Sequence, residues 1–82
     1  MAEMNPMEVI AECLRRVKAT GDREMIGHVV AETLANLQID NTEDDAFSML
    51  GEAIVANASE DPAGSALLLE VWSELEDRRE SP

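Results

Sequence analysis

The sequence predicts an all-α fold, a small antiparallel four-helix bundle. Apolar residues recur at intervals of three and four along four segments, each segment follows a residue that commonly caps helices, and no stretch alternates like a strand. The predicted helices span about residues 6–19, 23–37, 43–58 and 62–79. Because the connections between them are short, about three to five residues, successive helices are expected to lie antiparallel.

The first helix has a clear start signal. Asn5 precedes Pro6 and Glu8, which gives a side-chain cap, a proline at the first helical position and an acid in the first turn. Gly21 ends the helix, since glycine adopts the left-handed conformation that often follows a last turn. The predicted apolar stripe consists of Met7, Ile10, Leu14 and Val17, widened by Val9, Ala11 and Cys13.

The second helix is capped by Asp22 and has two distinct faces. Its apolar stripe is formed by Ile26, Val29, Val30, Thr33 and Leu37. On another face Gly27, Ala31 and Ala35 recur four apart, and these small residues are expected to admit a close helix neighbour, either within the chain or from a second chain. Ile39, in the following loop, is expected to fold back onto the core.

The third and fourth helices also begin with a capping residue and carry apolar residues at helical spacing. Thr42 caps the third helix ahead of three acids, and Asp61 caps the fourth ahead of Pro62. The inward residues of the third helix are predicted to be Phe47, Leu50, Ala53 and Ile54. The fourth helix carries the apolar residues Leu67, Leu68, Val71, Trp72 and Leu75.

The whole chain is acidic and short. Its 82 residues carry 18 carboxylates against six lysines and arginines, a net charge of −12, and are expected to form one domain, residues 1–82, frayed at both ends. This charge repels nucleic acid and anionic lipid, so neither is a predicted partner. No apolar run approaches the roughly 20 residues that span a bilayer, and the N-terminus lacks signal-peptide features. With a single cysteine, a cytoplasmic location is expected.

Between Glu24 and Asp77 the chain contains thirteen carboxylates and no lysine or arginine. Some of these acids stand at helix starts, where the helix dipole favours them, and an acidic surface also improves solubility. The other acids have, within this stretch, no lysine or arginine four residues away, the spacing at which opposite charges stabilise many helices. The preferred interpretation is a non-catalytic regulator or inhibitor that docks its negative face on a basic protein surface, such as a nucleic-acid-binding site. The candidate partner-binding residues are Glu43, Asp44, Asp45, Glu52, Glu70, Glu74 and Glu76.

The alternative is a structural or oligomerising helical subunit that associates through apolar surface, for example as a homodimer. Some apolar residues stand off the main stripes, and a chain this small gains stability by covering such surface. The candidate interface residues are Val9, Cys13, Leu69 and Trp72.

No catalytic residue, cofactor or metal site is predicted. His28 stands between Glu24 and Glu32 at helical spacing, which suits either a metal-binding face or an exposed histidine beside two carboxylates. The acidic run from Asp40 lacks the glycine and glutamate that a calcium loop requires. Cys13 has no histidine-type partner to activate it, and at the margin of the apolar face of the first helix it is expected to be a small packed residue.

Ser48 invites one further comparison. The small size, strong acidity and four helices are similar to those of acyl carrier proteins, which attach a phosphopantetheine arm to the serine of an Asp-Ser-Leu motif. Here the sequence around Ser48 is Phe-Ser-Met-Leu, without the aspartate, and the serine lies inside a predicted helix. A carrier protein or an enzyme accessory subunit is therefore the third alternative.

Overall fold

The computed structural model of the chain describes residues 5–80, which form four helices and, within that range, no strand. The helices are α1 (Pro6–Thr20), α2 (Arg23–Leu37), α3 (Glu43–Asn57) and α4 (Pro62–Glu80). The predicted all-α class and four-helix bundle are confirmed, and every predicted boundary lies within one residue of the observed one. The predicted fraying falls mainly on residues 1–4 and 81–82, outside the described residues, whereas Glu80, expected to begin the frayed tail, is the last residue of α4. Over residues 5–80, the helices are too short or too polar to cross a membrane.

Each helix begins at the side-chain cap that the sequence predicts. The side-chain amide oxygen of Asn5 accepts a hydrogen bond from the Met7 N–H at 2.9 Å, and the Asp22 carboxylate accepts one from the Glu24 N–H at 3.0 Å. The Thr42 hydroxyl accepts from the Asp45 N–H at 3.1 Å. These bonds satisfy N–H groups that have no partner within the first turn, so the local sequence determines where each helix starts.

Asp61 caps α4 in the same way, and Gly21 ends α1. The Asp61 carboxylate accepts from the Gly64 N–H at 3.2 Å. Gly21 has a φ of 68°, in the left-handed region, and its N–H donates to the Val17 carbonyl. Glycine avoids the steric penalty that other residues meet at this φ.

The helices pack as two antiparallel pairs, α1 with α2 and α3 with α4. Arg16 near the end of α1 pairs with Glu32 on α2 at 3.2 Å, and Asn57 at the end of α3 bonds Ser65 at the start of α4. α2 packs against both α3 and α4, whereas α1 lies mainly against α2. The buried core, drawn from all four helices, comprises Ile10, Cys13, Val17, Ile26, Val29, Val30, Leu34, Leu37, Ala46, Phe47, Leu50, Ile54, Leu68 and Val71.

Met7 and Ile39 were expected to join the core, and Gly27 was expected to admit a close helix neighbour, within the chain as one of two alternatives; these three expectations were wrong. Met7 is 77% exposed and Ile39 is 70% exposed, so neither joins the core. Cys13, by contrast, faces α2 and is only 1% exposed, as expected of a small packed residue. A Cβ built on Gly27 would meet nothing within 4 Å, so no helix of residues 5–80 packs closely there, and the alternative of a contact with a second chain stays a prediction.

Candidate interaction surface

The negative charge is concentrated in the second half of the molecule. Residues 43–80, which contain α3 and α4, carry eleven carboxylates and two arginines, a net charge of −9. Residues 1–42 carry a net charge of −3. The α3–α4 hairpin is therefore the part of the protein whose electrostatic field most strongly attracts a cationic partner.

Arg79 partly neutralises the acidic start of α3. Its guanidinium lies 3.3 Å from the Glu43 carboxylate, also bonds Asp44, and stacks over the Phe47 ring at 4.7 Å from the centroid. The hydrogen bond to Asp44 raises the pKa of Arg79 above its usual value, so this side chain stays charged. Glu43 and Asp44, two of the predicted partner-binding acids, thus already have a cation within the chain.

Arg23 partly neutralises the acidic residues of α4. From the first residue of α2 it reaches Glu70 at 3.5 Å and also bonds Glu74. The absence of lysine and arginine from the stretch between Glu24 and Asp77 therefore does not leave Glu70 and Glu74 without a counterion, because Arg23 reaches them from another helix. Exposed ion pairs of this kind contribute about 0–1 kcal/mol each to stability. Their main effect is to neutralise part of the negative surface.

Three of the seven predicted acids keep their charge uncompensated. Asp45, Glu52 and Glu76 make no ion pair within residues 5–80. Asp45 and Glu52 are exposed on α3, and Glu76 is half-buried on α4. Glu52 and Glu76 stand on the two walls of one groove between α3 and α4.

The α3–α4 groove, as we call it, is mainly apolar and has a volume of about 650 Å³. Val55 on α3 and Leu69 on α4 are 65% and 37% exposed, and Trp72 also lines the groove. Leu69 and Trp72 were predicted from their position off the main stripe. Val55 was missed, although it follows the inward Ile54 by one residue and therefore points about 100° away from it.

The four apolar residues predicted for an interface occupy two separate places. Val9 and Cys13 lie at the contact of α1 with α2, where Val9 is half-buried and Cys13 belongs to the core. Leu69 and Trp72 both line the α3–α4 groove. The indole N–H of Trp72 donates to the Phe47 carbonyl at 3.0 Å, which anchors this side chain within the chain.

The residues considered for chemistry are not assembled into a site. His28 is exposed on α2, and no group of three or more histidine, cysteine or acidic side chains in the described range is placed to hold a metal ion. Burial raises the pKa of the Cys13 thiol, which disfavours its reactive thiolate form. Ser48 is exposed in the middle of α3, at the edge of the α3–α4 groove.

Comparisons of the chain with protein-family models, with curated proteins and with solved structures found no match in any of the three.

Proposed function

We propose that the protein is a non-catalytic interaction module, a regulator or inhibitor that docks the negative face of its α3–α4 hairpin on a basic surface of another protein. A surface that binds nucleic acid is a suitable target, because it presents clustered lysines and arginines. The observation that carries the proposal is the concentration of charge in residues 43–80, where Asp45, Glu52 and Glu76 have no ion pair in the described chain.

The charge distribution supports recognition of a cationic surface beyond what solubility requires. A solubilising charge can lie anywhere on the surface, but here the hairpin carries −9 of the total −12. Complementary charge of this kind accelerates association and excludes partners of the same sign. The acids that already pair with Arg23 and Arg79 contribute less, so the free carboxylates form the centre of the proposed face.

The test is salt-dependent capture from a lysate of the native host, with the proteins eluted by salt identified by mass spectrometry. The triple variant Asp45→Lys, Glu52→Lys, Glu76→Lys should lose the salt-eluted partner. The matched control reverses Glu8, Glu24 and Asp40, three exposed acids outside the hairpin, and thus makes the same change in net charge. Equal capture by the wild type and the triple variant would contradict the proposal.

The second candidate is an oligomerising subunit, and the exposure of Val55 and Leu69 favours it. Sedimentation equilibrium across a range of protein concentrations is the measurement. If this candidate holds, the protein self-associates, the association resists salt, and Leu69→Ser weakens it. Leu69 is the better residue to change, since Trp72 is anchored inside the chain and its removal would also disturb the fold.

A further inference from the structure

We propose that the element seated on the negative face is an amphipathic α-helix of a partner protein, with lysines or arginines on both sides of its apolar stripe, and that it lies in the α3–α4 groove. This inference rests on the proposed function and names the structural class of the partner. It combines the apolar surface and the acidic surface, which the sequence presents as alternatives, into one site.

The floor of the groove is apolar and is formed by the Trp72 indole lying against Gly51. Gly51 allows the indole of Trp72 to lie directly against α3, because a Cβ at this position would stand 2.9 Å from the Trp72 Cζ2 atom. The indole N–H is already satisfied by the Phe47 carbonyl. Trp72 therefore offers a ligand its apolar ring, and binding there does not remove water from an unpaired indole N–H.

The rims of the groove are negative on both sides. Glu52 stands on the α3 wall and Glu76 on the α4 wall, and neither has an ion pair in residues 5–80. The one arginine of the lining, Arg79, is held by Glu43 and Asp44. A ligand with an apolar centre and cationic edges matches this arrangement of an apolar floor between two acidic walls.

A helix suits the groove better than an extended strand. Val55, Leu69 and Trp72 offer apolar contacts, and a strand laid over them would leave backbone N–H and C=O groups without partners. A helix satisfies these groups internally and presents a stripe of side chains to the groove. α3 has 15 residues and is about 22 Å long, which matches about four turns of a docked helix.

A second groove, between α1 and α3, is less suitable. It has a volume of about 570 Å³ and includes Met7 and Leu14. Its two carboxylates, Glu52 and Glu60, both belong to the α3 side, whereas the residues that α1 contributes carry no charge. A ligand with basic edges on both sides would find its counter-charges on only one wall there.

A second copy of the same chain is disfavoured as the occupant. Two copies would each bring a net charge of −12 to the contact. The described cations lie at the end of α1, at the start of α2 and at the end of α4, and no described helix places them on both sides of an exposed apolar stripe. The groove therefore requires a different protein.

The experiment titrates the protein with a synthetic leucine–lysine amphipathic helix of roughly 16 residues, without aromatic residues. Trp72 is the only tryptophan and the chain has no tyrosine, so intrinsic fluorescence reports directly on the groove floor. A peptide of the same composition in scrambled order and poly-lysine are the comparison ligands. We expect a blue shift of the Trp72 emission, affinity about tenfold higher than for the scrambled peptide, and weakening by added salt.

The variant Val55→Ser, Leu69→Ser removes two exposed apolar side chains from the lining of the groove and should weaken binding of the leucine–lysine helix by at least about tenfold. Both positions are exposed, so the fold should be retained, which circular dichroism verifies. Matched controls are Ile39→Ser, which does not line the α3–α4 groove, and Met7→Ser, which lines the second groove. Both side chains are at least as exposed as Val55 and Leu69, and both substitutions should leave the affinity unchanged.

The outcomes separate this inference from the proposed function. If poly-lysine binds in a salt-dependent manner but the ordered helix binds no better than the scrambled one, the groove is not the site and the acidic face alone remains. If Met7→Ser weakens binding and the double variant does not, the α3–α4 groove is also ruled out. Self-association abolished by the double variant would make a second copy the occupant and overturn the inference. Failure of every cationic ligand to bind would contradict both proposals.

Discussion

At the scale of single residues, the three glycines inside helices stand in three different environments. A Cβ on Gly27 meets nothing, one on Gly51 meets the Trp72 ring, and one on Gly64 meets the Asp61 carboxylate that caps α4. Alanine has the higher helix propensity at every such position, by about 1 kcal/mol. The surroundings therefore decide whether a substitution stabilises or destabilises the protein.

The first prediction contrasts Gly27→Ala with Gly51→Ala. Gly27→Ala should raise the free energy of unfolding by about 0.5–1 kcal/mol, because it gains propensity and meets no obstacle. Gly51→Ala should lower it by about 1–3 kcal/mol, because the rigid indole must move away from α3. Urea denaturation followed by circular dichroism measures both. Stabilisation by Gly51→Ala would show that Trp72 is not held against α3.

The second prediction concerns Cys13 and alkaline pH. Burial raises the pKa of this thiol in the folded protein, so the folded state holds the proton more tightly than the unfolded chain does. The resulting stability is complete below the unfolded pKa of about 8.5 and is lost as the pH rises above it. The free energy of unfolding should therefore fall more steeply between about pH 8 and pH 10 for the wild type than for Cys13→Ala.

The measurement for Cys13 is urea denaturation at a series of pH values under reducing conditions. Cys13→Ala is less stable at every pH because a packed sulfur is lost, so only the difference in slope is informative. If the free energy of unfolding changes with pH in parallel for the two proteins, the thiol has the same pKa in the folded and the unfolded state.

At the scale of the helices, each start depends on one side chain. α3 illustrates this best, since the Thr42 hydroxyl accepts the Asp45 N–H and three acids follow in the first turn. The same acids that assist the helix dipole also make the start of α3 strongly negative. Local helix stability and the charge of the proposed docking face thus have a common source.

The third prediction tests this cap. Thr42→Ala should lower the free energy of unfolding by about 1 kcal/mol, because it leaves an N–H of the first turn without its partner. Ser48→Ala removes a hydroxyl from the exposed side of the same helix without touching a cap, and should be neutral or slightly stabilising. Thermal or urea denaturation distinguishes the two, and equal effects would argue against a capping role for Thr42.

At the scale of the whole molecule, repulsion among the carboxylates opposes folding. The radius of gyration is 12.1 Å, so at low ionic strength, where the screening length is about 30 Å, all charges interact with one another. At about 0.15 M salt the screening length falls to about 8 Å, and mainly close pairs such as Arg23 with Glu70 still interact. Salt therefore removes repulsion more effectively than it removes the ion pairs.

The fourth prediction follows from this difference. Raising NaCl from about 10 mM to about 150 mM should increase the free energy of unfolding, by roughly 1 kcal/mol for a net charge of −12. Urea is the suitable denaturant, since guanidinium chloride is itself a salt. A decrease in stability would show that the ion pairs of Arg16, Arg23 and Arg79 outweigh the long-range repulsion.

The sequence alone determined the four helices and their limits. Caps such as Asn5 and Thr42, the stop at Gly21, and the recurrence of apolar residues act within a few positions of one another, so they can be read along the chain. The acidic character and the off-stripe position of Leu69 and Trp72 were also apparent. These features follow from residue type and spacing alone, and they show that the protein has both acidic and apolar residues for its surface.

Only the tertiary structure decided how these properties combine. Periodicity places a residue on a face, but small rotations of a helix decide whether Cys13 or Met7 is buried, and packing against other helices sets that rotation. The pairing of Arg23 with Glu70 and Glu74 likewise joins residues far apart in the chain. The groove exists because Gly51 and Trp72 meet across two helices, and long-range contacts of this kind leave no local signal in the sequence.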